Sequence, residues 1–357
     1  MLDTMPYSTT FELLQSGVYY ALAITVLRLG ARALVFKPLA YRAMHLSPLE
    51  QPSTVVKALD RAARKRHLPS RDTVEELADG CGMSYTEASE YLALRRREKL
   101  QNARLKKYQE AVFRFVTYVV LFGLGLYVNW GRPWLVEPNV HMWKGWPHLV
   151  DPLVKIHYHA SVGLYLHLLV FQFLDVKRSD FWEMFIHHLV TIGLLWYSWI
   201  LCFTRIGTVV IIIHDVADVP LELAKVCNYT SVHRTFGRCA KVTADVVFAI
   251  FAVTFLTSRL YIFPKLVWLN ILCNAYGHGL PGNGLWLQVI LLLTLQVLHV
   301  FWSALILRMV VKFAKEDLKD IRSESEDEED KALMNGAAVD AALKNGDAER
   351  ITNGKHD

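Results

Sequence analysis

The stretch Val209-Val210-Ile211-Ile212-Ile213-His214-Asp215-Val216-Ala217-Asp218-Val219-Pro220-Leu221-Glu222-Leu223-Ala224-Lys225 runs from a wholly apolar segment straight into a set of acids. Asp215, Asp218 and Glu222 stand at i, i+3 and i+7, so they share one face of one helix. His214 and Asp218 are i, i+4 on the same helix. A charge at mid-bilayer costs ~2.5–3.5 kcal/mol on insertion scales, so acids on an apolar helix face a bundle interior and need partners. The stretch therefore predicts an all-α, polytopic transmembrane helical bundle with a functional interior. The plainer reading of the acids is a polar helix–helix clamp, Glu222 with Lys225 above all.

Composition agrees. Apolar residues make up 53% of the 357 and charged residues 20%, which excludes a disordered chain, a collagen and a small disulfide scaffold. Charge is concentrated in Tyr41–Lys107 and after Lys315. The cysteines are scattered with no CxxC pair, so they read as reduced or buried thiols.

Outward from the acidic helix, further apolar segments run Val112–Trp130, Ile156–Leu174, Phe185–Phe203, Val242–Phe263 and Leu285–Val311, each near the ~20 residues that cross a bilayer. Ile206–Ala224 holds the acids themselves. A shorter run, Gly17–Leu27, is followed by Arg28, Arg32 and Lys37, a signal-anchor pattern with the N-terminus lumenal. The count is about seven spans. Leu266–Cys273 is too short to cross and is assigned to a lumenal loop. On this topology Lys37–Glu110, Asp175–Met184, Lys225–Lys241 and the tail from Lys312 are cytosolic, and most Lys and Arg fall there, with Arg114 and Arg308 at span ends. The lumenal side keeps only isolated cations: Arg132, Lys144, Lys155, Arg205, Arg259 and Lys265.

Tyr41–Gln109 is polar, with helical periodicity broken at Pro52-Ser53-Thr54 and at Leu68-Pro69-Ser70-Arg71. Ser70 is the predicted N-cap of a helix through Ala78; Gly80 and Gly82 break the chain; Ser84 and Glu87 have capping-box spacing for a helix that runs into Arg95-Arg96-Arg97. The resulting division is 1–40, a lumenal N-terminus and first span; 41–110, a small cytosolic helical domain; 111–315, the membrane domain; and 316–357, an acidic disordered tail. Ser323–Asp330 in that tail is either solubilising or a phosphorylated regulatory segment.

A second place puts ionisable groups in an apolar span: Arg178-Ser179-Asp180-Phe181-Trp182-Glu183-Met184-Phe185-Ile186-His187-His188-Leu189-Val190-Thr191. Adjacent residues lie roughly 100° apart on a helix, so one imidazole can face a cavity while the other packs sideways, where it can hydrogen-bond or brace the first. Thr191 is one turn on. Imidazole can serve as base, acid or acyl acceptor, or simply as structure. His157, His159 and the His187-His188 pair do not make the HxxxH or HxxHH clusters of di-iron enzymes, so no metal is expected.

Arg178–Lys225, from RSDFWEMFIHH through RIG to HDVADVPLELAK, resembles the signature of the ceramide synthases within the TLC-domain superfamily. LQVLHVFWSALILRMV (Leu295–Val310) resembles that family's last span, and an acidic serine-rich tail is typical of it. The resemblance implies N-acylation of a sphingoid base by fatty acyl-CoA, giving (dihydro)ceramide and CoA, in the endoplasmic reticulum membrane. Acyl-CoA is then a co-substrate and no cofactor is implied. It places His187, His188, Asp215 and Asp218 on the catalytic positions, and leaves open a homo- or heterodimer. It also implies that the loop Asn274–Gly284 bears on acyl-chain length. Tyr91-Leu92-Ala93-Leu94-Arg95-Arg96 resembles the family's homeobox-like region, but Leu94 replaces the base-reading Asn, so no nucleic-acid partner is expected. The sequon Asn228-Tyr229-Thr230 falls on the cytosolic side and is expected to be unmodified.

Two mechanisms follow. His187 takes a proton from the attacking amine, or His187 attacks the thioester first and an acyl-imidazole is resolved by the amine. The covalent route is preferred because two lipids enter separately. Asp215 would orient the imidazole, and Asp218 would hold the amine or His188. Lys177 and Arg178 are candidates for the CoA phosphates, against a reading as membrane-side anchors. Thr191, His214 and Glu222 are further substrate-binding candidates. The alternatives are a non-catalytic lipid-binding or sensing protein of this fold, and a transporter, which would show an internal repeat that is not seen.

Overall fold

Long segments without Gly or Pro dominate the chain, and the backbone follows them. The computed structural model describes residues 8–44, 46, 56–63, 69–147, 149–231, 235–268 and 282–314, and among these every regular element is helical. In order they are α1 (Ser8–Ala31), α2 (Lys37–Ala43), α3 (Lys57–Ala63), α4 (Arg71–Asp79), α5 (Tyr85–Asn129), the short α6 (Pro133–Val136) and α7 (Pro138–His141), α8 (Pro152–Phe171), α9 (Phe181–Ile200), α10 (Thr204–Thr230), α11 (Gly237–Leu256) and α12 (Gly282–Ala314). A π-helical turn, Arg32–Phe36, joins α1 to α2, and two more, Thr257–Ile262 and Pro264–Trp268, extend α11. The chain divides into two compact units, residues 1–45 with 108–322, and 46–107 with 323–357.

Among the described residues four helical stretches are long and apolar enough to cross a membrane: Glu12–Ala43, Tyr85–Asn129, Gly237–Leu266 and Leu285–Val311. The other three expected spans coincide with α8, α9 and α10. These carry His157, His159, His167, His187, His188, His214 and the three acids, and each such side chain lowers the mean hydropathy of its helix.

In the larger unit α1 packs along α8, α9 against α8 and α12, and α10 along α11. The α1–α8 approach depends on Gly163: a Cβ there would stand 2.4 Å from Tyr20 Cβ and 3.1 Å from the Ala21 amide nitrogen. The first helix is not the short, interrupted span the sequence predicts. It continues through Arg28 and Arg32 because both find partners. Arg28 lies over the rings of Phe113 (4.8 Å) and Phe171 (4.2 Å) and bonds Asp175 at 2.6 Å. Arg32 Nε donates to Gln109 Oε1 at 3.0 Å. The scattered cations of the loops assigned to the lumen are paired too. Arg132 donates to Asp151 (2.6 Å), Lys155 to Glu12, and Arg205 to the His141 carbonyl (2.8 Å). Asp151 caps α8 by accepting from the Leu153 N–H at 2.9 Å, and that bond with Arg132 holds its carboxyl below the usual range.

In the smaller unit α3, α4 and the first turns of α5 enclose Leu59, Val74, Ala78, Ala88, Tyr91 and Leu92. Ser70 occupies the N-cap position of α4, but its hydroxyl bonds Thr73 Oγ1 (2.8 Å) rather than a backbone amide. The Ser84–Glu87 capping box forms in full: Glu87 Oε2 accepts from the Ser84 N–H at 2.8 Å, and Ser84 Oγ accepts from the Glu87 N–H at 3.3 Å. Tyr91 and Arg95 both bond Asp60 at 2.9 Å. The helix does not stop near residue 110. No Gly or Pro occurs between Tyr85 and Phe122, so α5 continues unbroken to Asn129.

The expected break at Pro52-Ser53-Thr54, Leu68, Cys273 and most of the Leu266–Cys273 run, the loop residues Asn274–Pro281, Arg234 and the acidic tail lie outside the described residues.

Candidate active site

Ionisable side chains gathered inside apolar helices have few ways to be satisfied, and their partners define the site. A cavity in the larger unit is walled by α5, α8, α9, α10, α11, α12 and the α8–α9 connection, and His187, His188, Asp218, Glu222, Arg178 and Arg259 all line it.

The two histidines enter on the second turn of α9. His188 Nδ1 lies 2.9 Å from Gln172 Oε1, and Gln172 Nε2 donates to the Phe181 carbonyl at 2.5 Å. A carbonyl only accepts, so the amide orientation is fixed, and Nδ1 of His188 must carry the proton. Its Nε2 is then the basic nitrogen. His187 is held differently. Its ring stands edge-on to Trp302 (5.4 Å) and to Tyr165 (6.2 Å), and its Nδ1 is buried without a hydrogen-bond partner. The expectation that one imidazole braces the other is not met. Both line the same cavity with ring centres 5.8 Å apart, and the brace is Gln172.

The acids of α10 divide. Asp218 and Glu222 line the cavity, and Glu222 pairs with Lys225 at 2.6 Å. The clamp is therefore a bond within one helix rather than between two. Asp215 is 1% exposed, its Oδ2 has no partner, and it forms no hydrogen bond to His187 or His188. The histidine–aspartate pairing expected across the two spans is absent among the described residues. Instead Arg259, expected at the lumenal side, is buried beside α10. Its Nη2 donates to the His214 carbonyl at 2.7 Å and lies 3.7 Å from Asp218 Oδ1. A turn of π-helix carries it there.

His214 Nδ1 donates to the Val210 carbonyl at 2.7 Å, which leaves Nε2 as acceptor, 3.1 Å from His299 Nε2. His299, on α12, is 0% exposed. His214 and Thr191 do not line the first cavity. They line a second, more apolar one one turn further along α9, with Leu194, Leu195, Val210 and Leu292. Thr191 Oγ1 is buried without a partner and bonds neither imidazole. Near that cavity Tyr158 Oη meets Ser198 Oγ at 3.1 Å, and a Cβ at Gly207 would lie 1.5 Å from Tyr158 Oη.

Where the first cavity borders the α8–α9 connection, Arg114 pairs with Asp175 (3.1 Å) and the Val176 N–H donates to Glu110 (3.1 Å). Arg178 lines this mouth. Lys177 does not: it is exposed, over the Phe181 ring at 5.7 Å. Gln172, Arg259, His299, Tyr165 and Trp302 were not singled out from sequence. Arg259 and His299 carried the signal used elsewhere, an ionisable residue within an apolar run. Among the described residues no group of three His, Cys, Asp or Glu side chains is placed to hold a metal ion. Two imidazoles, a carboxyl group and a guanidinium in an apolar cavity suit proton and acyl transfer.

A TLC domain matches residues 107–308, an interval that contains His187, His188, Asp215, Asp218, Arg259 and His299. The chain is 32% identical over 297 residues to ceramide synthase 4 of Mus musculus, covering 82% of this chain and 73% of that one. It is 36% identical over 265 residues to ceramide synthase 5 of Homo sapiens, with 72% and 64% covered. It is 34% identical over 340 residues to ceramide synthase 4 of Bos taurus, with 94% and 83% covered.

Proposed function

This chain belongs to the ceramide synthases, a family built on the TLC domain, and on that premise we propose that it transfers the acyl group of a fatty acyl-CoA to the amine of a sphingoid base, giving (dihydro)ceramide and CoA. One observation carries the reading. The His188 tautomer is fixed by Gln172 in a cavity that also presents His187, Asp218 and Arg259 within an apolar bundle. A lipid-binding or sensing protein would not need a tautomer-fixed base beside a second, unengaged imidazole.

In the mechanism we favour, the thioester sits with its CoA at the mouth and its chain directed inward. His187, whose ring is held only by aromatic edges, attacks the thioester carbon, and CoA leaves as thiolate. The sphingoid amine then attacks the acyl-imidazole while His188 Nε2 takes its proton. Asp218 holds the amine, and Asp215 acts through the packing of α10. The second cavity, apolar and one turn deeper, receives the acyl chain. Arg178 meets the CoA phosphates at the mouth, with Lys177 nearby on the surface.

The mouth then faces the cytosol, because CoA does not enter a membrane. We read seven spans with the N-terminus lumenal and the C-terminus cytosolic, in the endoplasmic reticulum membrane. The inward placement of the polar groups of α8, α9 and α10 supports counting these helices among the spans. Residues 46–107 are read as a cytosolic, homeobox-like accessory unit without DNA binding, since Leu94 stands where a base-reading Asn would.

The test is acyl-CoA-dependent ceramide formation by membranes expressing the wild type, His187→Ala, His188→Ala and Asp218→Ala. Wild-type activity, lost by about 10²-fold or more in the histidine variants, is expected. Unchanged product in both histidine variants would overturn the assignment.

A further inference from the structure

We propose that Arg259 is a catalytic residue of this acyl transfer, its guanidinium donating to the carbonyl oxygen of the acyl group as that oxygen becomes an anion. The inference rests on the acyltransferase reading above. Arg259 is 3% exposed and lines the cavity that holds His187 and His188. Only one of its donors is fully used, Nη2 on the His214 carbonyl at 2.7 Å. Nε is buried without any partner. Nη1 approaches His299 Nε2 at 3.4 Å, but that nitrogen cannot accept. His214 donates from Nδ1 to Val210, so its Nε2 is bare, and the 3.1 Å contact with His299 Nε2 requires the proton to sit on His299. The Asp218 carboxylate is 3.7 Å away, beyond hydrogen-bond distance.

A guanidinium N–H left without an acceptor in a greasy cavity is costly unless something negative arrives. The other cations lining the cavity are placed otherwise. Arg114 is bound to Asp175 and Lys225 to Glu222, and Arg178 belongs to the α8–α9 connection at the mouth. Arg259 is held against α10 by the His214 carbonyl and Asp218, and lies over the face of Phe255 at 5.1 Å.

The step it serves is balanced as follows. A nitrogen lone pair, of His187 or of the amine, forms a bond to the acyl carbon, and the C=O π pair moves onto oxygen. The Nη1–H of Arg259, the donor left without an acceptor by His299, receives that charge. The pair then returns to re-form C=O as the C–S bond breaks and CoA leaves as thiolate. On the covalent route the amine next adds to the acyl-imidazole through a second such oxyanion, and the C–N bond to His187 breaks as C=O re-forms. On either route His188 takes the proton of the amine and the thiolate receives it.

The experiment compares full-length wild type, Arg259→Gln and Arg259→Lys in membranes. It measures kcat and KM with acyl-CoA and with its dithioester analogue, in which the carbonyl oxygen is sulfur. His187→Ala is run in parallel. Expected is a kcat about 10²–10³-fold lower in Arg259→Gln with acyl-CoA, KM nearly unchanged, and a smaller preference for oxygen over sulfur than in the wild type. Arg259→Lys keeps the charge but not the fork, so it should fall between them and also lose part of that preference; it decides the matter if the Gln variant does not fold. A kcat within about threefold of wild type, or an unchanged oxygen-over-sulfur preference in both variants, would overturn the proposal. A wild type that forms no ceramide would instead sink the function on which it rests.

Discussion

Gln172 and His188 meet through a single defined hydrogen bond, Oε1 to Nδ1 at 2.9 Å, and the other end of the amide is spent on the Phe181 carbonyl. The Gln is on the residue that closes α8, the His on α9, and the carbonyl on the first residue of α9. Sequence neighbours of the histidine thus set its proton through a side chain from another helix. Removing the brace should leave the ring present but free to choose the wrong tautomer. Gln172→Ala is expected to lower kcat by about 10- to 100-fold while KM for acyl-CoA stays within a few-fold. Gln172→Asn, one methylene short, should recover little. Steady-state kinetics on membranes decides it, and wild-type kcat in both variants would mean the bond is structural.

Arg28 and Asp175 are a second long-range pair, each nearly buried and 2.6 Å apart. Asp175 is shared with Arg114 at 3.1 Å. Breaking a buried pair by removing one partner costs ~3–5 kcal/mol, and Arg114 should hold Arg28→Ala to the lower end of that range. Asp175→Asn should be comparably destabilised. The double variant should cost clearly less than the sum, since Arg28 is then not left unpaired, and Arg114 keeps Glu110 at 3.8 Å. Thermal unfolding in detergent measures all three, and simple additivity would show that the two residues do not act as a pair.

The fold was legible where one residue type carried one message. The all-helical bundle follows from apolar runs, and the Ser84–Glu87 box from its spacing alone. What was not legible depended on which side chains meet. The arginines of the first helix looked like its end, because a sequence does not display Phe113, Phe171 and Asp175 gathering around Arg28. The end of the polar domain is a boundary between compact units, at 107/108, but not a break in the backbone, because α5 runs across it from Tyr85 to Asn129. His187, His188 and Asp218, singled out as ionisable groups in apolar runs, line one cavity. Asp215 was given the wrong neighbour, because spacing fixes a face of a helix but not what the face touches. Arg259 was discounted by its nearness to a span end, which treats a bundle as a stack of slabs.

The capping box gives a pH-dependent local stability. The Ser84 N–H and hydroxyl hold the Glu87 carboxyl below the usual range. A depressed carboxylate stabilises the folded form at pH above its unfolded value, near about 4.3, and that contribution is lost as pH falls through the folded value. Amide-exchange protection in the first turn of α5 should therefore be intact at neutral pH and decline below about pH 4. Glu87→Gln should start lower at neutral pH and show a flatter decline. Parallel pH profiles for the two proteins would remove the carboxylate from the explanation.

The second cavity makes a prediction about which acyl chains are used. It starts at Thr191, one turn beyond the histidine pair, and its walls come from α8, α9, α10 and α12, with Leu194, Leu195, Val210 and Leu292 among them. Tyr158 Oη, bonded to Ser198 and pressed against Gly207, stands at the same depth. If the chain lies there, the length of free wall sets the longest acyl group that brings its thioester level with His187. Enlarging Val210 to Phe should shift product toward shorter acyl chains. Trimming Leu292 to Ala should shift it toward longer ones, by about tenfold in relative kcat/KM across a two-carbon step, since one methylene in an apolar pocket is worth ~1–3 kcal/mol. Opposite shifts from two substitutions that differ only in volume distinguish a ruler from general damage, which would lower every chain length alike. Competition among acyl-CoAs of graded length, read by mass spectrometry of the ceramides, separates the two. A proportional loss across all lengths in both variants would place the chain elsewhere, along the lipid-facing side of the bundle.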